Sequence, residues 1–339
     1  MFEQQYRRGR GGETWRPFRA VAQVTSRGLS LGLERVLTDF GADSSFAQAA
    51  AKVREHYGVE VSESAVRVVT EKHGFQMQSD TEVGVRMPLK GVPELIAQMD
   101  GAFVPIVEMR EGEGDRRKTR ELKYAEARLC LAGQVGSLER RYRATMGTVE
   151  EAGRNWKACV VEAGAGQNTK LHCLADGAKW IVGQVTEQFG EQARFLVDFY
   201  HLSEYLGAAG VAITGAAAKS WLRKAQQKMK ENRSAEVLAE LAKYVEAETI
   251  GDLEAPVRNC RRYIANRPAY LDYQGALERG LPIGSGEIES GNKSVVQARL
   301  KLAGAWWKTE NAKKMLALRV TRANGDWNSY WKQQRQANA

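Results

Sequence analysis

No apolar run in these 339 residues reaches the roughly 18 needed to cross a bilayer as a helix, and no signal-type hydrophobic segment opens the chain. A membrane partner is therefore not expected, and a cytoplasmic address is. Cysteine is scarce. Cys130, Cys159, Cys173 and Cys260 are scattered without a CxxC pair, which fits reduced structural thiols and not a disulfide framework. Histidine is equally scarce, with four in all. His172 and Cys173 are adjacent on an expected strand, so they point to opposite faces and make a poor zinc pair. What the chain does have is positive charge: 50 Lys and Arg against 41 Asp and Glu, a net +9. That balance favours a polyanionic partner, nucleic acid ahead of a membrane surface. The 43% hydrophobic fraction is ordinary for a globular chain, and the length allows two or three structural units.

The first nineteen residues are basic, glycine-rich and aperiodic, an extended arm in which Arg7, Arg8 and Arg10 are candidate phosphate contacts. A short helix is expected over Leu31 to Phe40. Ser45 then caps a helical run that Gly58 ends, and Ser62 caps a second run that ends at Gly74. Two short helices joined by a tight glycine-containing turn form the helix-turn-helix pattern, whose second helix enters a DNA major groove. Ser64, Arg67, Thr70, Glu71 and Lys72 are expected to face outward on that second helix. An ordinary helical hairpin gives the same pattern.

The middle of the chain places acids where strands and helices meet. Ala102 to Val107 predicts a strand with Asp100 near its start, and Tyr124 to Ala132 predicts another. A strand through His172 ends at Asp176, and Phe195-Leu196-Val197 runs into Asp198-Phe199-Tyr200-His201. Open α/β sheets build sites at such strand ends. From Ala212 to about Tyr273 the pattern is helical and holds no such junction, a helical insertion able to supply walls or DNA contacts.

The stretch from Ile283 to Lys308 comes next. Gly284-Ser285-Gly286 forms a turn with a helix-capping serine. Beyond it Ile288, Gly291, Val295, Ala298 and Leu302 make one packed stripe, while Glu289, Asn292, Lys293, Val296 and Arg299 share another face. A carboxylate one turn from a lysine, with an arginine beyond, suits a metal beside a phosphate. A solvated helix with a Glu–Lys pair is the plainer alternative. Acids from two strands and a helix can together hold two Mg²⁺ ions about 3.5–4 Å apart on a phosphodiester.

These motifs resemble the DDE transposases of the ISKra4 type within the Mutator-like assemblage. The likeness is carried by D-G-x-x-V-P at Asp100 to Pro105, D-G-A-K-W-I at Asp176 to Ile181 and L-V-D-F-Y-H at Leu196 to His201. It continues through G-S-G-E-I-E-S-G-N-K from Gly284 and R-L-K-L-A-G-A-W-W from Arg299, and spans residues 30 to 325 in order. The resemblance implies an α/β chain: an RNase H-like mixed-sheet core interrupted by an all-helical insertion and preceded by a helix-turn-helix region. On that division, 1–80 is the arm and helix-turn-helix, 90–204 and 279–325 are the two parts of the core, 205–278 is the insertion and 326–339 is a polar tail.

The resemblance further implies that Asp100, Asp176 and Glu289 are the catalytic, metal-binding acids, holding two Mg²⁺ ions for which Mn²⁺ can substitute. Asp198 and His201 form the D-x-x-H element, a secondary active-site pair. Asp198 is the rival for the second acid and Glu287 for the third. DNA contacts are expected from Lys293, Arg299, Lys301 and Arg67, and from the arm. Trp306 and Trp307 are candidates for stacking on an unpaired base, with core packing favoured. The implied reaction is hydrolysis at the transposon ends, and then attack of the freed 3′-OH on target DNA. The partners are double-stranded terminal repeats and target DNA in a homo-oligomeric synaptic complex, and the address is nucleoid-associated within a bacterial cytoplasm. A catalytically inactive or domesticated DNA-binding derivative is the alternative. The chain departs from the family in lacking a cysteine-rich segment near residue 1 and in carrying Tyr205 where relatives have histidine.

Overall fold

A computed structural model describes residues 6–9, 14–17, 21, 24, 28–79, 85–109 and 120–337. Arg10, one of the expected arm contacts, lies outside them. Three serines start the N-terminal helices. Ser30, Ser45 and Ser62 each accept, on Oγ, a backbone N–H from three residues further on, at 3.2, 3.2 and 3.1 Å. The helices they open are α1 (Leu31–Asp43), α2 (Phe46–Tyr57) and α3 (Glu63–Ser79). Gly58, at φ 63°, ends α2 with its N–H on the Arg54 carbonyl.

Gly74, expected to end the second of these runs, lies inside α3. A Cβ there would stand 2.6 Å from the carbonyl oxygen of Lys314, on the helix Thr309–Ala323. The glycine therefore serves close helix packing and not termination. Thr70, expected to face outward, is fully buried and donates to the Leu37 carbonyl of α1. It fills the space where a Cβ on Gly41 would otherwise sit. Glu71, half-buried, accepts from Asn311, whereas Ser64, Arg67 and Lys72 are exposed, Lys72 donating to Glu34.

The sheet strands are β1 (Glu94–Met109), β2 (Arg120–Gln134), β3 (Arg141–Thr145), β4 (Lys170–Ala175) and β5 (Ala193–Val197). Their order is β3-β2-β1-β4-β5. The sheet is mixed: β2 and β3 pair antiparallel, while β1, β4 and β5 run parallel. Parallel neighbours need crossovers. Helices α4 (Val149–Glu162) and α5 (Lys179–Phe189) lie in those connections. Strand β1 starts eight residues before the expected Ala102, so Asp100 sits in mid-strand.

Past β5 come α6 (Phe199–Thr214), α7 (Ala218–Lys230), α8 (Ser234–Leu241), α9 (Pro256–Ala265) and α10 (Tyr273–Glu278). Their apolar faces close on one core with Leu174, Leu196 and Val197, and Trp221, Met229, Cys260 and Tyr273 are buried in it. Next are α11 (Gly286–Gly291), a π-helical segment (Asn292–Gln297), α12 (Thr309–Ala323) and α13 (Trp327–Ala337). The expected polar tail is thus mostly helix α13. Its Tyr330 and Trp331 are buried against His73, which bridges the Tyr330 hydroxyl and the Glu34 carboxylate at 2.7 and 3.0 Å. Burial alone would raise the Glu34 carboxyl, but hydrogen bonds from His73 and Lys72 outweigh it and hold the group at about 2.

The chain forms two compact units. One joins Met1–Val83, Phe103–Glu126 and Lys293–Ala339, and the other joins Gly84–Ala102 and Ala127–Asn292. Among the described residues no helix is long and apolar enough to cross a membrane.

Two glycine substitutions should move stability in opposite directions. Gly74→Val overpacks the α3–α12 contact and should cost about 1–3 kcal/mol. Gly183→Ala, exposed on α5 with nothing within 4 Å of the added Cβ, should gain roughly 0.5–1 kcal/mol. Urea midpoints of the two variants against the wild type test both.

Candidate active site

Within the Gly84–Ala102 and Ala127–Asn292 unit, the chemistry gathers around Asp100. Gln98 and Asp100 share one face of β1 by the two-residue alternation of a strand. Gln98 is buried and Asp100 is half-buried. One Asp100 oxygen accepts the Gly101 N–H at 2.8 Å, and the other accepts Nδ2 of Asn292 at 2.7 Å. The Asp100 carboxyl nevertheless lies above its ordinary value. Burial is the main cause, the two hydrogen bonds oppose it, and the charge of Asp176 adds to it while His201 offsets it. Asp176 and His201 are thus within electrostatic reach of Asp100.

Asp176 follows the end of β4, the parallel neighbour of β1, and is exposed. One of its oxygens takes the Ala178 N–H at 2.9 Å, the side-chain turn that starts many helices. Asp198 is different. It is 2% exposed and caps α6, with Oδ1 accepting the N–H groups of Tyr200 and His201. Its Oδ2 accepts both the backbone N–H of Ser285, at 2.8 Å, and the Ser285 hydroxyl. Four donors occupy both oxygens, so Asp198 ties the start of α6 to the turn before α11. The same turn is held by His172, whose Nε2 meets the Pro282 carbonyl at 2.7 Å. Gly284 packs flat there, since a Cβ would stand 2.4 Å from the Tyr200 ring. His201 is half-exposed, 3.4 Å from Glu204.

The two glutamates of α11 divide by the partners they have. Glu287 is held by Arg140 through paired bonds of 2.7 and 2.8 Å. Glu289 is exposed, and its carboxylate has no hydrogen bond or ion pair among the described residues. The backbone N–H of Ile288 donates to Gln98 and the side chain of Asn292 to Asp100, which anchors α11 along β1. Glu289 lies one turn before Asn292, on neighbouring positions of the helix surface.

Asn292 carries weight that its sequence position did not advertise. It is 2% exposed, and while Nδ2 reaches Asp100, Oδ1 is buried with no protein partner. A buried amide oxygen left unpaired costs about 1–3 kcal/mol.

Asn292 also opens the π-helical segment, where one extra residue enters the turn and rotates every later position of the helix. Ile288, Gly291 and Val295 of the expected stripe are buried, and the pattern changes after them. Ala298 is exposed, while Val296 and Arg299 are buried. Arg299, expected on DNA, is 2% exposed; its Nε donates to the Gly41 carbonyl, and its guanidinium lies 4.9 and 4.8 Å from the Phe46 and Trp307 ring centres. Burial, reinforced by Arg319, brings its pKa down to about 10. Arg299 is a packing residue. Lys293, Lys301, Arg67, Arg7 and Arg8 are all exposed, Arg67 standing 3.8 Å from Glu71. Trp307 is buried, and Trp306 is partly exposed beside Tyr124.

Among the described residues, no three His, Cys, Asp or Glu side chains stand together as a ready cation cage. The acids that the fold brings near one another here are Asp100 on β1 and Asp176 past the end of β4, with the unpaired carboxylate of Glu289 on the adjoining helix. Every one of these donors is a hard oxygen. That set fits Mg²⁺, which keeps waters and needs few protein ligands.

The raised Asp100 carboxyl gives a pH test. Folding raises its value, so the protonated form is favoured in the folded chain. Stability from this group is greatest at low pH and is lost as pH rises through the folded value. Asp100→Asn should therefore raise the melting temperature of the cation-free chain at pH 7–8. The gap should close as pH falls and the wild-type carboxyl takes up its proton. Melting curves in a chelator from pH 4 to 8 read it directly.

No curated protein matches the chain. Residues 23–336 match the Uncharacterised protein family (UPF0236), and the chain belongs to that family.

Proposed function

We propose that this chain is a DDE transposase of the ISKra4 type, with Asp100, Asp176 and Glu289 as its metal-binding acids. The observation that carries the reading is the placement of Asp100 on β1 and Asp176 just past the end of its parallel neighbour β4, with α11, which bears an unpartnered Glu289, tied to β1 through Gln98 and Asp100. Two carboxylates at neighbouring strand positions, one half-buried, repel each other, and a bound cation relieves that repulsion. The strand order supports an RNase H-like core: the first strand lies central, its two successors on one side and two parallel strands on the other. The rival acids weigh in the same direction. Asp198 has both oxygens filled, and Glu287 is paired with Arg140.

When bound, two divalent cations would activate the attacking water or 3′-OH and neutralise charge on the scissile phosphate. Asp100, Asp176 and Glu289 would hold them, with Mg²⁺ the expected ion and Mn²⁺ a substitute. Asn292 keeps Asp100 oriented through its amide. Asp198 secures the turn that delivers α11. His201 adds an ionisable ring within reach of Asp100.

Double-stranded DNA is the proposed partner, as terminal repeats and as target, with more than one copy of the chain needed to hold two ends. Helices α2 and α3 are proposed as the helix-turn-helix, with Arg67 on its exposed face and Arg7, Arg8, Lys293 and Lys301 as further phosphate contacts. A nucleoid-associated cytoplasmic address goes with that partner.

Cleavage and joining of a labelled terminal-repeat duplex in Mg²⁺ tests the proposal. Asp100→Ala, Asp176→Ala and Glu289→Ala should each lower the rate by at least about 10²-fold. Glu287→Ala should retain activity. No cleavage by the wild type, with DNA binding intact in every variant, would instead favour a catalytically inactive DNA-binding derivative. Arg67→Ala should weaken binding on all sequences and lower the salt slope by about one.

A further inference from the structure

The helical insertion contributes no acid to the site, yet it grips the turn that carries one. Tyr263 on α9 donates its hydroxyl to the Asp176 carbonyl at 2.6 Å. Arg267, two residues past the end of α9, donates from Nε and Nη2 to the Gly177 carbonyl at 3.1 and 3.0 Å. Three donors therefore end on the carbonyls of one dipeptide. That dipeptide has no freedom to spare. Gly177 sits at φ +77°, and a Cβ on it would stand 2.8 Å from Arg267 Nε and 3.0 Å from a Val197 methyl.

The gripping side chains are themselves immobilised. Tyr263 is 6% exposed and stacks on Tyr205 with ring centres 4.3 Å apart and 20° between planes. The Arg267 guanidinium lies 3.9 Å from the Tyr263 ring centre and also donates to the Tyr263 carbonyl at 3.1 Å. His201 meets both tyrosines edge-on, at 5.6 and 5.9 Å. Burial pushes the Tyr263 phenol well above its ordinary value despite Arg267, which keeps the hydroxyl a donor.

We infer that the insertion is the positioning element of the second acid: Tyr263 and Arg267 fix the backbone of Asp176 and thereby set where its carboxylate is presented. The inference rests on the reading of Asp176 as a cation ligand. It gives the insertion a part in the site that its helical sequence, which holds no acid at a strand end, does not reveal. It also gives Tyr205, the residue that departs from the family pattern, a place in the clamp as the platform under Tyr263.

The test is calorimetric titration of the full chain with Mn²⁺, without DNA, alongside melting curves. Asp176→Ala should abolish the response. Arg267→Met, which keeps the aliphatic bulk and removes the fork, should weaken Mn²⁺ binding about 10–100-fold, the usual cost of losing a group that orients a ligand. Tyr263→Phe deletes one oxygen and keeps the ring stack, so a several-fold loss with an unchanged melt is expected. Arg267→Lys should recover part of the affinity, since an ammonium can replace one of the two bonds. Mn²⁺ affinity within about twofold of wild type in both Arg267→Met and Tyr263→Phe would overturn the inference, because the contacts would then serve packing alone. If Arg267→Met fails to fold, Tyr263→Phe decides by the same criterion. A wild type whose Mn²⁺ binding survives Asp176→Ala overturns the reading of Asp176 itself.

Discussion

The unit that carries the candidate site depends on one buried carboxylate that has no free oxygen. Asp198 receives four donors, two from the first turn of α6 and two from Ser285. Its own N–H bonds the Ala175 carbonyl at the end of β4, and the next N–H bonds Ile283. The end of one strand, the start of one helix and a turn 87 residues later in sequence meet at this residue. Charge-assisted bonds of this kind are about twice as strong as neutral ones. Removing one partner of a buried charge costs more than the bond itself, because the rest stays desolvated. The D-F-Y-H segment thus has an architectural part, since its acid holds a strand end, a helix start and a distant turn together.

Asp100 and Asp176 show the opposite arrangement. Burial and a like charge push Asp100 up, and only Asn292, Gly101 and the ring of His201 oppose it. A like charge beside a half-buried carboxylate is unfavourable, and under the proposed function a bound cation would relieve it. The orphaned Oδ1 of Asn292 and Nε2 of Gln98 belong to the same picture. A fold selected for stability alone would have filled these positions with apolar side chains.

Much of this was legible in the sequence because it was local. Ser45, Ser62 and Gly58 act on backbone groups within a few residues, so spacing alone identified them. The strand ends at Asp176 and Asp198 were marked by β-rich runs stopping at acids. What failed was long-range. Gly74 looks like a helix stop until Lys314 packs against it, 240 residues away. Asp100 lies mid-strand because β1 has neighbours on both sides in the sheet, a fact that no local pattern carries. The stripe projected with a constant period holds at Ile288, Gly291 and Val295 and fails at Ala298, which is exposed. One π-helical segment at Asn292–Gln297 broke the period and moved Arg299 into the interior. A single inserted residue cannot be seen by any method that assumes 3.6 residues per turn.

Arg299 also shows why net charge identifies a partner only loosely. Several of the basic residues in this chain are structural. Arg140 is committed to Glu287, Arg143 to Glu162, Arg267 to Gly177 and Arg319 to Asp43. These guanidiniums reach backbone carbonyls or acids at sites with limited solvent, where a planar fork serves better than an ammonium. The charge left for an anionic ligand is then the exposed remainder, Arg67, Lys293 and Lys301 among it. Lysine dominates surfaces because its strongly hydrated head resists burial, so arginine counts overstate a phosphate-binding face and exposed lysines estimate it better. A net charge of +9 therefore says less about an anionic partner than where the fold leaves its exposed cations.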